Sequence, residues 1–192
     1  MNFAQTLAAA GAFCICATVG SANEFEGALR DFFSSDLAPI TADAALISAV
    51  KAQNDAHAGL TEDEILSLDT DWRAAVDTGG NPQMASVLEG SHAEFLRTQK
   101  EDMCGLITEV FVMDNSGLNV ASCELTSAYR QGDEAKFSET YGVGPGAVHI
   151  SEVEFDESSQ SYQSQVSSVI VDPATGSPIG AITFGVAVEM LP

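Results

Sequence analysis

Two apolar runs joined by a short polar turn constrain the fold of this chain more than any other feature. The first run, LITEVFVMD at residues 106–114, carries apolar side chains in both of its alternating sets, which is typical of a strand covered on both faces. The following DNSG turn, at residues 114–117, ends in a glycine that tolerates a positive φ. We therefore expect the second run, LNVASCEL at residues 118–125, to fold back antiparallel and form a hairpin whose first strand is central.

A segment dense in polar chemistry follows the hairpin at residues 129–134. Its side chains include a phenol, a guanidinium, an amide and two carboxylates. In one interpretation Arg130 binds a ligand carboxylate through its planar fork, Tyr129 offers a ring face and Asp133 receives an ammonium group, a set that suits a zwitterion. In the other, Arg130 pairs with Glu134 and Asp133 caps the next short helix. The residues alone leave both interpretations open.

The order of predicted elements indicates an α+β fold. Apolar residues recur at helical spacing before the hairpin, and Thr61 with Glu64 forms a capping box that begins a helix. The expected elements are a helix over residues 61–79, another over 82–101, a short one within 134–141, and strands at 147–155, 162–171 and 179–188. With the hairpin, these runs predict a five-stranded antiparallel sheet with helices on one side.

The length bounds the number of domains. A chain of 192 residues with 45% hydrophobic and 18% charged side chains is long enough for one domain with a sizeable core and too short for two ordinary ones. We therefore expect a long N-terminal helical segment at residues 23–104 that packs on the sheet core at residues 105–192 in a single domain.

The charge is strongly one-sided. The chain has 28 acidic and 7 basic side chains, a formal net charge of -21, which argues against a nucleic-acid partner or an anionic membrane surface. An acidic surface can serve solubility alone, or it can attract a cationic ligand or partner. Both explanations remain open from composition.

The first 22 residues resemble an export signal. They contain no charged side chain, carry an apolar stretch at residues 7–19 and end in Gly20-Ser21-Ala22, which predicts cleavage after Ala22. The apolar stretch is too short to span a bilayer comfortably, and no second one follows. We therefore expect a periplasmic mature protein without membrane insertion.

Two cysteines, Cys104 and Cys123, follow the predicted signal. An even pair in an oxidising compartment can form a disulfide, which would contribute about 3 kcal/mol. The hairpin register, however, would place Cys123 opposite Thr108, so the sulfurs meet only if the chain bends back before the first strand. A disulfide and two buried thiols both remain open.

Patterns for metal binding or catalysis are missing from the sequence. His57, His92 and His149 lie far apart and form no HxxxH or HExxH pair. The acidic run at residues 152–157 alternates with apolar residues, as in a solvated strand edge. The sequence contains no GxSxG elbow, phosphate loop or cysteine beside a histidine. We therefore expect a protein that is not an enzyme and that carries no metal or cofactor.

Two segments resemble the Cache family of extracytoplasmic, PAS-like sensor domains. They are LDTDWR at residues 68–73 and TSAYRQGDEAK at residues 126–136. Together with the order of elements over most of residues 43–191, they are similar to the single-module form of small exported bacterial proteins. The family more often reads Asp-Tyr-Trp-Gln in the second segment, so Ala128 and Arg130 depart from its pattern.

The resemblance implies a PAS-like sheet whose concave face encloses a small-molecule pocket. Related domains bind amino acids, carboxylates or amines and pass occupancy to a signalling protein. Carried onto this chain, the pocket wall would comprise Tyr129, Arg130, Gln131 and Asp133, faced by Asp156, Tyr162 and Ser164. We expect a periplasmic sensor of a small polar metabolite that acts through a separate partner, such as a membrane signalling protein. The alternative is a structural or interaction protein with a sensor-like fold and a filled pocket.

Overall fold

Helices occupy the first part of the described chain. The computed structural model describes residues 23–157 and 159–191, and the predicted export signal at residues 1–22 lies outside them. The helices of this lead-in are α1 (Glu26–Phe32), α2 (Ala38–Thr41), α3 (Ala44–Ala56), α4 (Glu62–Thr78), α5 (Pro82–Leu88) and α6 (Ser91–Asp102), with a π-helical turn at Phe33–Leu37. None of the helices within the described ranges has the length and apolar character of a membrane span.

The helix boundaries follow local sequence signals. Thr61 and Glu64 form the predicted capping box of α4, and the helix ends at Gly79, which has φ +92°. The single helix expected over residues 82–101 is two helices, because Gly90 caps α6 in an extended conformation. The predicted helical lead-in is confirmed, with this break as a correction.

An antiparallel sheet follows the helices. Its strands are β1 (Ile107–Met113), β2 (Asn119–Ser122), β3 (Val148–Ile150), β4 (Glu154–Asp156), β5 (Ser161–Val171) and β6 (Pro178–Ala187), and a short helix, α7 (Ala135–Ser138), precedes β3. The strand order is β2-β1-β6-β5-β3, and β4 also pairs with β5. The sheet thus has five positions, which confirms the predicted α+β fold with a central first strand.

The outermost position is filled by two short strands. Ile150 pairs with Val166, whereas Glu154 pairs with Gln163, so one extra residue lies between the two pairings on the outer strand. Such an extra residue interrupts a ladder as a β-bulge does. The single strand expected over residues 147–155 is therefore two, β3 and β4.

The two faces of the sheet have different environments. Val110 and Val112 of β1 face the large apolar core, which contains residues of α1, α3 and α6. Phe111 and Met113 face the other side, where they pack with Phe137 of α7. Both sets are buried, which confirms that β1 is covered on both faces.

The hairpin turn is held by the buried carboxylate of Asp114. Its Oδ1 accepts hydrogen bonds from the backbone N–H groups of Ser116 (2.8 Å) and Leu118 (3.0 Å). Its Oδ2 contacts Gln53 Nε2 at 3.0 Å and His57 Nδ1 at 2.8 Å. The turn predicted at residues 114–117 is confirmed. The side chains of Gln53 and His57 bind it to α3 and the residue that follows α3, a contact that the sequence did not indicate.

The register of the hairpin differs from the predicted one. Phe111 pairs with Ser122, and a bulge at Val112/Met113 shifts the ladder. The backbone N–H of Cys123 consequently donates to the carbonyl of Val110 at 3.0 Å, so Cys123 does not face Thr108. Cys123 is a buried free thiol and Cys104 an exposed one. The possible disulfide is therefore not formed, and only one of the two thiols is buried.

Candidate functional site

A polar cleft lies on the face of the sheet opposite the large apolar core. It consists of two adjoining hollows of about 290 and 300 Å³ that share Lys136 and Gln165. The lining includes four carboxylates, three amides, one ammonium, one imidazole and one aromatic ring, contributed by Glu109, Glu134, Glu154, Asp156, Gln131, Gln163, Gln165, Lys136, His149 and Phe111. These groups offer hydrogen-bond acceptors and negative charge to anything that enters.

The floor of the cleft is built around a glycine. Gly185 of β6 pairs with Glu109 on one side and Gln165 on the other, and Gln165 Nε2 donates to Glu109 Oε1 across it at 2.9 Å. Beside this contact, Thr108 Oγ1 donates to Gln163 Oε1. A Cβ at position 185 would lie 2.4 Å from Thr108 Oγ1 and 2.8 Å from Gln163 Oε1. The absence of a side chain therefore lets polar groups of β1 and β5 meet over the middle strand.

Lys136 is the cation of the cleft. It projects from α7, its side chain is 12% exposed, and its Nζ lies 3.0 Å from Glu134 Oε2. The same Nζ donates to Gln131 Oε1 at 3.3 Å and sits 5.3 Å from the ring centroid of Phe111, within reach of a cation–π contact. Lys136 is thus held in place by three groups of its own chain.

Two of the predicted site residues line the cleft. Gln131 is buried, and its Nε2 donates to the carbonyl of Ala128 at 2.9 Å, which leaves Oε1 directed at Lys136. Asp156 lies on β4 at the rim, where its Oδ2 accepts from the backbone N–H of Ser159 at 2.9 Å. These two residues come from segments 25 positions apart in the chain, and the sheet brings them to one hollow.

Tyr129 and Arg130 do not line the cleft. The ring of Tyr129 is buried and stacks on Trp72, with centroids 5.4 Å apart. The guanidinium of Arg130 forms an ion pair with Glu62 of α4 at 2.8 Å. Unlike in the predicted pocket wall, both side chains therefore lie outside this cleft, and Arg130 does not pair with Glu134 as in the alternative.

Three further predicted residues also lie outside the cleft. Asp133 is exposed and does not cap α7, whose N-cap is Glu134. Ser164 is buried on the opposite face of β5, where its hydroxyl donates to the carbonyl of Ser151 at 2.7 Å. Tyr162 shares that face, since side chains two positions apart in a strand point the same way. Unlike in the predicted pocket wall, Asp133, Tyr162 and Ser164 therefore do not line this cleft.

The segment that crosses from β2 to α7 is anchored by one carboxylate of α4. Asp69 Oδ1 accepts the backbone N–H groups of Tyr129 (2.8 Å) and Arg130 (3.0 Å), while Oδ2 accepts Arg73 Nε at 2.7 Å. Burial acts to raise the pKa of Asp69, but the hydrogen bonds from Arg130, Arg73 and Tyr129 outweigh it and lower the pKa below its ordinary value. Because the backbone is held here, the side chains of Tyr129 and Arg130 point to α4 and away from the sheet.

Burial also perturbs the phenol of Tyr129. Burial, with a smaller effect of the Asp114 carboxylate, raises the pKa of Tyr129 to about 12. The phenol is therefore neutral at physiological pH. Its partner ring, Trp72, is fully buried and donates from Nε1 to the carbonyl of Thr126 at 2.8 Å. Trp72 therefore packs α4 against the segment that crosses from β2 to α7.

Several cleft residues were missed by reasoning from sequence. Glu109 interrupts an otherwise apolar strand, and Gln163 and Gln165 alternate along a serine-rich one. Both patterns signal a polar face of the sheet. Lys136 falls within the segment that resembles the Cache family, but nothing in the sequence orients its side chain to the cleft. The described residues contain no group of three or more His, Cys, Asp or Glu side chains arranged to hold a metal ion.

Comparison with known proteins gives structural neighbours only. No family model matches the chain, and no curated protein is similar to it. Among solved structures, the ligand-binding domain of the Campylobacter jejuni chemoreceptor Tlp3 in complex with 4-methylisoleucine has 17% identity and a TM-score of 0.42, over 80% of this chain and 64% of that one. Another structure, of the sensory domain of Tlp3, has 14% identity and a TM-score of 0.42, over 84% of this chain and 64% of that one.

A domain of a histidine kinase is also among the structural neighbours. The sensor domain of the V. cholerae histidine kinase DctB has 16% identity and a TM-score of 0.36, over 85% of this chain and 58% of that one. The chain spans just under two thirds of the length of the two Tlp3 domains. The three structures are a ligand-binding domain and a sensory domain of a chemoreceptor and the sensor domain of a histidine kinase.

Proposed function

We propose that this protein is a periplasmic, non-enzymatic domain that binds a small polar metabolite in the cleft and reports its presence to a separate signalling protein. The observation that carries the proposal is the asymmetry of the sheet. One face of the sheet is closed by helices over an apolar core. The other face keeps about 300 Å³ of open volume lined by charged and amide groups, a size and chemistry that suit a small polar molecule.

The build of the floor supports a binding role. Polar groups in a folded protein are usually spread over the surface, whereas here Glu109, Gln163 and Gln165 converge over Gly185 in the middle of a sheet. A glycine in a central strand weakens the strand and often marks a close approach to another group. The convergence is hard to explain by stability alone.

The same residues favour binding over turnover. Among the lining residues that the structure describes, no hydroxyl is hydrogen-bonded to a histidine: Ser151 Oγ donates to a backbone carbonyl at 2.8 Å, and so does Thr126 Oγ1 at 2.8 Å. A nucleophile activated by a base would need such a contact.

A ligand screen on protein lacking residues 1–22 tests the proposal. Amino acids, organic acids and amines are each added in excess, and the melting temperature is recorded. A ligand at 100 times its Kd stabilises by about 2.7 kcal/mol, which corresponds to about 5 to 10 °C for a domain of this size. If no compound shifts the melting temperature, small-molecule binding is refuted.

Two variants in β5 locate the site. Gln165→Ala removes a floor residue and should weaken the identified ligand at least tenfold. Tyr162→Ser changes the opposite face of the same strand and should leave the Kd unchanged. Equal affinities in both variants would show that the ligand binds elsewhere.

One observation favours a second candidate function, that of an interaction protein. Phe155 and Tyr162 are 49% and 50% exposed, and their rings meet edge to face at 5.2 Å on the side of the sheet away from the cleft. Exposed aromatic pairs are common where proteins contact each other. Co-purification of a partner by wild type and its loss in a Phe155→Ser/Tyr162→Ser double variant, with no response to small molecules, would favour this function.

A further inference from the structure

The basic side chains of this protein are all engaged by its own carboxylates. The seven Lys and Arg residues of the sequence fall between positions 30 and 136, within the described ranges. Each of them forms an ion pair with an Asp or Glu, and the longest N–O distance among these pairs is 3.7 Å. Most of these pairs are on the surface and add little stability. Their consequence concerns ligands, since an incoming anion meets no unpaired Lys or Arg side chain in the part of the chain that the structure describes.

The pairing matters most in the cleft, where Lys136 is the one Lys or Arg among the lining residues. Its ammonium already contacts Glu134 Oε2 at 3.0 Å and Gln131 Oε1 at 3.3 Å. Its side chain also covers one face of Phe111. A ligand carboxylate would have to compete with Glu134 and Gln131 for Lys136, and it would lie among the carboxylates of the cleft, which repel it.

A cation that enters the cleft would instead meet carboxylates that attract it. Glu109 is half-buried on the floor, where its Oε1 accepts one hydrogen bond from Gln165. No hydrogen bond to its Oε2 is found within the described residues, so that oxygen can accept an ammonium N–H. Glu154 and Asp156 line the same cleft from β4, and their field raises the local concentration of cations.

We infer that the ligand of the cleft is a small aliphatic amine that carries no carboxylate, and that Glu109 receives its ammonium group. This inference rests on the proposed function and narrows it to one chemical class. It differs from the zwitterion of one interpretation of the sequence, because the guanidinium of Arg130 that would have held the carboxylate pairs with Glu62 of α4 and lies outside the cleft.

Matched ligand pairs test the inference. Each pair is an amine and the amino acid that differs from it by one carboxylate, namely 1,4-diaminobutane against ornithine and 2-aminoethanol against serine, titrated calorimetrically into protein lacking residues 1–22. We expect the amine to bind at least tenfold tighter, equivalent to about 1.4 kcal/mol. If the amino acid binds as tightly as the amine, the inference fails while small-molecule binding stands. If neither these compounds nor any other in the ligand screen binds, both proposals fail.

Three variants identify the groups that recognise the ligand. Glu109→Gln keeps the size of the side chain and should weaken the amine at least tenfold, whereas Glu152→Gln, an exposed change outside the cleft lining, should have no effect. Lys136→Met should keep or improve the affinity for the amine, since it removes a like charge. A tenfold loss in Lys136→Met would overturn the inference, because it would mean that this lysine binds an anionic group. Melting temperatures without ligand show whether each variant is folded.

Discussion

Replacement of Asp69 by alanine should loosen the crossing segment that frames the cleft. Asp69 is 13% exposed, and a single oxygen of its carboxylate accepts two consecutive backbone N–H groups, at 2.8 and 3.0 Å. Alanine leaves both donors of Tyr129 and Arg130 without a protein acceptor. The segment would then lose its two backbone N–H contacts with α4 and keep the hydrogen bond from Trp72 Nε1 to the carbonyl of Thr126.

The size of the effect follows from the kind of hydrogen bond lost. A hydrogen bond to a charged group contributes about 1.5 to 3 kcal/mol, and the exposed pair with Arg73 adds at most about 0.5 kcal/mol. Because water can reach the freed N–H groups in part, we expect Asp69→Ala to lower the free energy of unfolding by about 3 kcal/mol. Asp69→Asn keeps an oxygen acceptor and loses the charge, so its cost should be about half as large.

Denaturant unfolding at two pH values tests this reasoning. The pKa of Asp69 is lowered in the folded protein, so its stabilising effect is present above the ordinary carboxyl pKa of 3.8 and is lost as pH falls through the lower folded value. The difference between wild type and Asp69→Ala should therefore be largest near neutral pH and shrink in acid. Asp71→Ala, an exposed change on the same helix, should stay within about 0.5 kcal/mol of wild type. A cost below about 1 kcal/mol for Asp69→Ala, or one that does not change with pH, would refute the anchoring role.

Three further outcomes are expected. Gly185→Ala places a Cβ 2.4 Å from Thr108 Oγ1; it should cost about 1 to 3 kcal/mol in denaturant unfolding and weaken the cleft ligand, and unchanged binding would contradict the proposed floor. Burial raises the pKa of Tyr129 to about 12, so stability should fall as pH rises from the ordinary value of 10 to the folded one. Tyr129→Phe should remove that loss in alkaline unfolding curves, and an unaltered curve would contradict the assignment. Cys104 is exposed, whereas burial shields Cys123 and raises its pKa, so a maleimide should label Cys104 first and Cys123 only after unfolding; equal labelling rates by mass spectrometry would contradict this difference.

Local signals in the sequence were sufficient for most of the fold. The capping box at Thr61 and the glycine at position 79 fixed the ends of α4, since both act on neighbouring backbone groups. The apolar pattern of residues 106–114 identified β1 as a central strand, because burial on both faces needs both alternating sets to be apolar. The bulge that shifts Cys123 was missed, since it depends on the pairing of two strands and not on either one alone.

The candidate site was predicted only in part. Gln131 and Asp156 were predicted and lie in the cleft. Tyr129 and Arg130 have side chains that could bind a ligand, but these side chains point to α4 and away from the cleft. The direction of their side chains is set by hydrogen bonds from their backbone to Asp69, which is about 60 positions away. A local sequence pattern spans only neighbouring residues, so it cannot reveal a contact between residues this far apart in the chain.

The sequence by itself determined the class of fold, the central hairpin and the strongly acidic character, because these depend on periodicity, turn chemistry and composition. The tertiary structure decided which polar groups share a cavity and which are already engaged. It brings Glu109, Lys136 and Gln165 together from a strand, a helix and another strand, and it turns Arg130 to Glu62. The physical reason is that the groups around a charged side chain in the folded protein decide whether it is already paired or can bind a ligand. Most of those groups come from distant parts of the chain.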